Sequence, residues 1–305
     1  MLIRILGAGA GGGFPQWNCG CPNCDGLRRG AIRAKPRSQV TIALSGDADR
    51  WVLLNCGPEI RAQIEAFPAL WPRAARHSPI AAIALTCGDL DHTLGLLSLR
   101  ENHAITVLAT GTVRQGFVDG NVLYRTLERF PGQTTWRRLV PGLEAPLDDP
   151  DPARASLFAT PVPVPGKPPV HLEGRVAPSE DQAIGLIVRD RTGRRLAAFP
   201  GAGGISPAMR AAIAGADALI FDGTFWSEDE LARPRLMDKR AAEMAHLPIG
   251  GPDGSLALLA DLAVTRKLFV HINNTNPILR EDSAERAEVE AAGWTVAEDG
   301  MEIAL

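Results

Sequence analysis

Two short stretches of this 305-residue sequence concentrate side chains able to bind a cation. The first reads Cys19-Gly20-Cys21-Pro22-Asn23-Cys24. Three thiols at this spacing converge on one tetrahedral Zn²⁺ if the chain turns tightly, and Gly20 with Pro22-Asn23 supplies such a turn. The flanking residues are polar and turn-rich, which argues against three unrelated buried cysteines. A structural zinc takes four ligands, so the fourth must come from a distant segment. The second stretch is Thr86-Cys87-Gly88-Asp89-Leu90-Asp91-His92-Thr93-Leu94-Gly95. A strand ends at Thr86 and a loop presents Asp89, Asp91 and His92, which can close on one cation. Capping of the next helix would account for one of these acids, but not for all three residues.

A third feature, Gly7-Ala8-Gly9-Ala10-Gly11-Gly12, follows a strand and matches the spacing of a dinucleotide-binding loop. That chemistry needs a helix starting at the loop and an acidic residue about twenty positions on. Here Gly13-Phe14-Pro15 and the cysteines follow, and the later region carries Arg28, Arg29 and Arg33. A tight glycine turn allowing close backbone approach to a site mouth is the better reading.

The elements that must position these residues are short and punctuated by glycine and proline. Strands are expected at 2–6, 40–44, 51–55, 80–86 and 105–110, and helices at 58–66 and 112–129. A further helix is expected after His92, with Leu94, Leu97 and Ser98 facing inward. Residues 141–178 read as a connection with one strand, 156–162. The second half predicts strands at 183–189, 195–199, 218–222 and 267–272, and helices at 207–214, 255–265 and 282–292. Two β-rich halves, about 1–140 and 155–305, predict one domain over 1–305. They fit an α/β (α+β) four-layer αββα sandwich, two sheets face to face with helices outside. By pattern alone, a doubly wound parallel sheet is the alternative.

Composition limits the functions. Hydrophobic content of 45% and charged content of 22% fit a globular chain. A net charge of −3 without a long basic run disfavours nucleic acid as a partner. The chain has no apolar run of the roughly eighteen residues that a spanning helix needs. Its start lacks the pattern of a secretory signal, so a cytoplasmic location is expected, as is a metal rather than disulfides at the odd set of five cysteines.

The Thr86–Gly95 stretch resembles the metallo-β-lactamase superfamily motif Thr-His-X-His-X-Asp-His-X-X-Gly. Thr86, Asp91, His92 and Gly95 fit, whereas Cys87 and Asp89 stand where two histidines are expected. Phe221-Asp222-Gly223-Thr224 resembles the bridging-aspartate segment, and Val270-His271-Ile272-Asn273-Asn274 the last histidine segment. These departures, the cysteine cluster and His271-Ile272-Asn273-Asn274-Thr275-Asn276-Pro277 together resemble the family of B proteins of pyrroloquinoline quinone (PQQ) biosynthesis, along essentially the whole chain. That resemblance implies the metallo-β-lactamase-like αββα fold and iron-dependent hydroxylation of the tyrosine ring of a Glu-Tyr peptide-derived precursor. It also implies O₂ as co-substrate and other PQQ-pathway proteins as partners.

With Cys87 and Asp89 in place of histidines and only His171 in the middle region, the first of the two metal positions of hydrolytic relatives is degraded. Asp91, His92, Asp222 and His271 remain. Two histidines and a carboxylate with open positions suit non-haem Fe(II) and O₂ chemistry. Which of Asp89, Asp91 and Asp222 ligates directly is left open. His246, on a glycine-rich loop, is the candidate catalytic acid/base, with an exposed loop histidine as the plain alternative. His77 and His103 are expected at the surface. The Cys-X-Cys-X-X-Cys hook resembles that of phosphonate-pathway phosphodiesterases, in which a histidine three residues after the last active-site histidine completes the structural zinc. The matching residue is Asn274, so either it or an unidentified group closes the tetrahedron around Cys19, Cys21 and Cys24. Two other functions compete: a zinc-dependent phosphodiester or ester hydrolase, and a non-catalytic carrier (transport) of PQQ or its intermediate, for which 28 Arg against 4 Lys is a weak pointer to an arginine-lined pocket.

Overall fold

The computed structural model describes residues 1–232 and 236–305. Among these residues, fourteen strands are distributed equally between two sheets. The first sheet contains β1 (Leu2–Gly7), β2 (Thr41–Ser45), β3 (Trp51–Leu54), β4 (Ile80–Ala84), β5 (Ile105–Ala109) and β6 (Thr134–Arg138). The second contains β7 (Ala145–Pro146), β8 (Leu157–Pro163), β9 (Ile184–Asp190), β10 (Arg195–Phe199), β11 (Ala218–Asp222), β12 (Arg266–Val270) and β13 (Trp294–Val296). The last strand, β14 (Glu302–Ala304), returns to the first sheet and pairs antiparallel with β1. The orders are β14-β1-β2-β3-β4-β5-β6 and β13-β12-β11-β10-β9-β8-β7.

Alternation along the strands builds the layers, because successive side chains point to opposite faces. In β3, Val52 and Leu54 enter the core between the sheets, whereas Trp51 and Leu53 face outward. In β11, Ala218 and Ile220 face that shared core, and Leu219 and Phe221 the other side. Helices cover both outer faces. Ile60 of α2 (Ile60–Glu65) and Phe117 of α4 (Gly111–Val118) pack on the first sheet. Met209 and Ile213 of α5 (Pro207–Ile213) and Val289 of α7 (Ala284–Ala291) pack on the second. The result is the four-layer αββα sandwich. Sheets with both faces covered can afford parallel strands, and β3–β6 and β10–β13 run parallel within their sheets.

Three expectations need correction. The helix of 112–129 stops at Val118, followed by Gly120 at φ +71° and a separate 3₁₀ turn, Val122–Leu127. The helix of 255–265 is reduced to α6 (Ser255–Leu258). The segment after His92 is α3 (Leu90–Thr93) continued as a 3₁₀ helix, Leu94–Leu99. The tighter turn rotates the inward face, so Gly95 and Leu96 are buried while Leu94 and Ser98 are exposed. A Cβ on Gly95 would lie 2.2 Å from the Gly57 carbonyl oxygen, which is why the helix can approach the loop after β3 so closely. Among the described residues no helix is long and apolar enough to cross a membrane.

Candidate metal centre

The carboxyl ends of parallel strands converge at one edge of the sandwich, where open α/β sheets hold ligands. β4 leads into Thr86–His92, β11 ends at Asp222, and β12 is followed directly by His271. Ligand atoms of Asp91, His92 and His271 lie within 4.8 Å of one another, as do those of Asp222, His246 and His271. His271 itself adopts φ +56°, a left-handed conformation costly for a non-glycine residue and typical of sites held in place by their surroundings. The glycine-rich start supplies part of that restraint. Ile272 donates to the Ala8 carbonyl at 3.0 Å, and Ala10 donates to the Ile272 carbonyl at 3.0 Å. Gly11 lies against Asp91 at the site mouth, and the next helix, α1 (Pro22–Arg28), begins only at Pro22, capped by Cys21 and carrying Cys24. The loop therefore braces a site and opens no helix onto a nucleotide.

Hydrogen bonds set the imidazole tautomers. Thr86 Oγ1 donates to Asn55 Oδ1 at 3.0 Å, and the Cys87 thiol donates to Asp89 Oδ2 at 3.3 Å. Both groups then have lone pairs for the Nδ1–H of His92, at 3.3 Å and 2.9 Å. His92 Nε2 is left bare, buried and without a hydrogen-bond partner. A buried nitrogen lone pair so placed is costly unless a cation meets it. Burial pushes the His92 imidazole down, favouring this neutral form, and burial with the neighbouring Asp89 charge holds the Cys87 thiol well up.

The same logic applies across the site. Asp222 is fully buried and accepts from Ala202 N (2.9 Å), Thr224 N (3.0 Å), Thr224 Oγ1 (2.5 Å) and His246 Nδ1 (2.6 Å). Having donated to Asp222, Thr224 Oγ1 accepts from His271 Nδ1 at 2.7 Å. His271 Nε2 therefore points at Asp91 Oδ2, 2.9 Å away. Burial alone would lower His271, but the Asp91 hydrogen bond and the charges of Asp91 and Asp222 outweigh it and hold the imidazole raised. Burial would likewise raise Asp91; His92 and His271 reverse this and hold it well below the usual carboxylate range.

Asp89 stands apart. It lines the same cavity, but its carboxylate turns to the Cys87 thiol and is outside the clusters of mutually close ligand atoms among the described residues. Nor does it cap the helix through its side chain. His246 is half-buried, stacked on His271 with ring centroids 5.2 Å apart, so the exposed-loop alternative does not hold. His171 is exposed, and His77 and His103 are half-buried on a separate cavity near Arg61. Thr224 and Lys167 were missed by sequence reasoning. For Thr224 the signal was available in Asp222-Gly223-Thr224, a hydroxyl two residues beyond a buried acid; Lys167 lies in a proline-rich stretch with no pattern.

The clusters open into a cavity of about 300 Å³. Its lining includes Cys87, Asp91, Lys167, Phe225, His246 and Asn273. Behind it, Cys19, Cys21 and Cys24 converge, their sulfurs within 4.8 Å of one another. The Asn274 side-chain amide reaches all three, 3.2 Å from Cys19, 3.7 Å from Cys21 and 3.3 Å from Cys24. Asn23 Nδ2 donates to the carbonyls of Asn274 and Asn276, at 3.1 Å and 2.9 Å, tying the hook to the segment that carries His271.

The β-lactamase superfamily domain model matches residues 50–272. The coenzyme PQQ synthesis protein B of Azotobacter vinelandii is 46% identical over 100% of both chains, and that of Methylococcus capsulatus 45% identical over 100% of both. The chain belongs to the coenzyme PQQ synthesis protein B family. The crystal structure of Zn²⁺-bound PqqB from Methylobacterium extorquens, 43% identical, superposes with a TM-score of 0.92 over 100% of both chains. A diphosphatase of the PhnP family shares the fold at 19% identity, covering 100% of this chain and 97% of its own, with a TM-score of 0.69. Family membership agrees with the four-layer architecture.

Proposed function

We propose that this protein is an Fe(II)-dependent oxygenase of PQQ biosynthesis that hydroxylates the tyrosine ring of a Glu-Tyr peptide-derived precursor in the cytoplasm. One observation carries the reading. Asp91, His92 and His271 offer one carboxylate and two imidazoles within 4.8 Å, with His92 Nε2 bare and the cluster open to a cavity. This donor set suits a non-haem iron that keeps coordination places free. When bound, such an iron supplies one-electron chemistry with O₂. The chain's own residues do the rest. Thr86 and Cys87 orient His92, and Thr224 with Asp222 orients His271. Asp222 acts as the supporting carboxylate, its lone pairs already taken by four donors. His246, its Nδ1 engaged by Asp222, offers Nε2 to accept the phenolic proton of the substrate. Phe225, Ala10 and Ile184 line the cavity and limit its water.

The hook fits a structural Zn²⁺. Burial pushes the Cys24 thiol up to about 12, so it ionises at neutral pH only against a cation. The fourth donor is the Asn274 amide, whose oxygen and nitrogen exchange places by a half-turn of the group.

Anaerobic loading with Fe(II), followed by O₂ and glutamyl-tyrosine, should add oxygen atoms to the peptide by mass measurement. No oxygen uptake with any tyrosine-containing peptide would refute the assignment. The zinc hydrolase remains as a second reading because the Methylobacterium relative is Zn²⁺-bound; release of p-nitrophenol from a generic phosphodiester would favour it. A carrier of the finished quinone fits the cavity poorly, since among the described residues Lys167 is the one lysine or arginine lining it.

A further inference from the structure

The cavity has an uneven distribution of charge. Its floor carries Asp89 and Asp91 beside the histidines, and its rim carries Lys167. A substrate with free carboxylates needs a cation to meet them, and among the described residues Lys167 is the one lysine or arginine lining the cavity. Lys167 lies on the segment joining β8 to β9, and this segment is fixed on both sides. Gly203 N donates to the Pro165 carbonyl at 2.8 Å, and Gln182 Nε2 to the Gly166 carbonyl at 2.9 Å. Pro169 packs so closely on Gly88 that a Cβ there would lie 2.9 Å from its ring, which seats the segment over the Cys87–Asp89 loop. The Lys167 backbone is thus held over the site while its ammonium pairs with Glu173 Oε1 at 2.6 Å. Both side chains are partly exposed, 31% and 40%, so the pair is weak enough to exchange partners.

From this geometry we infer that Lys167 is a carboxylate-binding subsite of the cavity and that Glu173 is its internal competitor, displaced when an acidic substrate enters. The inference rests on the proposed reading, in that it selects amino-acid or peptide substrates with a free carboxylate over neutral phenols. Lys167 touches the substrate at a distance from the reacting ring, so it sets affinity and not the chemical step.

Calorimetric titration of the metal-loaded protein with glutamyl-tyrosine and with its diamide tests this. The Lys167→Met variant should bind the acid about 10-fold more weakly and the diamide as the wild type does, the loss expected of one charge-assisted hydrogen bond. Glu173→Gln should tighten the acid by roughly two- to fivefold, the scale of an exposed ion pair, with melting temperature and bound metal unchanged. Equal binding of acid and diamide by the wild type, unchanged acid affinity in Lys167→Met, or no binding of the acid to the wild type would each overturn the subsite. Carboxylate selectivity without oxygen incorporation would sink the hydroxylase reading and leave the subsite standing. Hydroxylation without selectivity would do the reverse.

Discussion

The two cation clusters share a segment yet differ in how they are closed. At the hook, Cys19, Cys21, Cys24 and Asn274 are all buried, and the cysteines belong to the outer core of the second sheet, beside Phe14 and Ile278. If Asn274 completes the proposed tetrahedron, the protein donors leave no place for a substrate, which is the pattern of a structural site. Across the 271–274 turn, Asp91, His92 and His271 form an incomplete set facing a cavity. Three donors with an open side define a site for chemistry. The difference lies in what surrounds the donors: apolar core packs on the hook, whereas the other cluster, though similarly buried, lines a cavity at the strand ends.

The largest effect expected is at the open cluster. His92→Ala removes the bare Nε2, and binding of the active-site metal should fall by more than about 100-fold, since even changes in groups that merely orient a ligand cost 10- to 100-fold. Circular dichroism and hook zinc should stay as in the wild type; retained iron by metal analysis would refute the ligand set. The reciprocal change, Cys24→Ser, should lose the hook zinc and lower the melting temperature. It should also weaken the open cluster by about 10-fold, because Asn274 and His271 share one turn. Unchanged iron affinity after loss of hook zinc would show the two clusters to be independent.

How much of this was legible in the sequence follows from the same physics. The strands that carry ligands were readable because they are buried on both faces, as in Ala218-Leu219-Ile220-Phe221, and end in acids or histidines. The edge strands Thr134–Arg138 and Trp294–Val296, and the two-residue Ala145–Pro146, were not: they are short, partly exposed or mixed in polarity. Asp91, His92 and His271 announced themselves by type and by resemblance. Which acid faces the cluster was not readable, because Asp89 and Asp91 differ only in the direction each takes at a tight loop, and the Cys87 thiol decides it. His246 and Lys167 reach the cavity from loops without periodicity, so only the folded chain brings them in.

Thr224 provides a smaller, sharper test of the open cluster. Thr224→Val keeps the shape but removes the hydroxyl that passes Asp222's influence to His271 Nδ1. Iron affinity should fall by about 10-fold, with the hook zinc untouched. Thr224→Ser should restore it. A valine variant that binds iron like the wild type would mean that Asp222 does not orient His271 through this residue.

The mildest test needs no mutation and compares the clusters through the protons they release. Both bind metal only in the deprotonated state, so affinity rises with pH by about tenfold per unit for each proton displaced. At the open cluster His92 is already held neutral and Asp91 ionised, leaving the raised His271 as the proton to be displaced. Because its folded-state value is raised from the ordinary histidine value, iron affinity should climb with pH and level off once His271 is neutral. His271's contribution to the stability of the metal-free protein runs the other way: it is complete below the unfolded histidine value and disappears as pH rises through the folded one. At the hook, burial keeps the Cys24 thiol protonated far above neutral pH, and its sulfur neighbours add to that, so zinc must displace at least this proton. Competitive chelator titrations from pH 6 to 8.5 should therefore give a hook slope that stays steep where the open cluster's flattens. Parallel slopes over the whole range would mean that the two sites gather their ligands in the same protonation state, and the distinction between a packed cluster and an open one would lose its electrostatic basis.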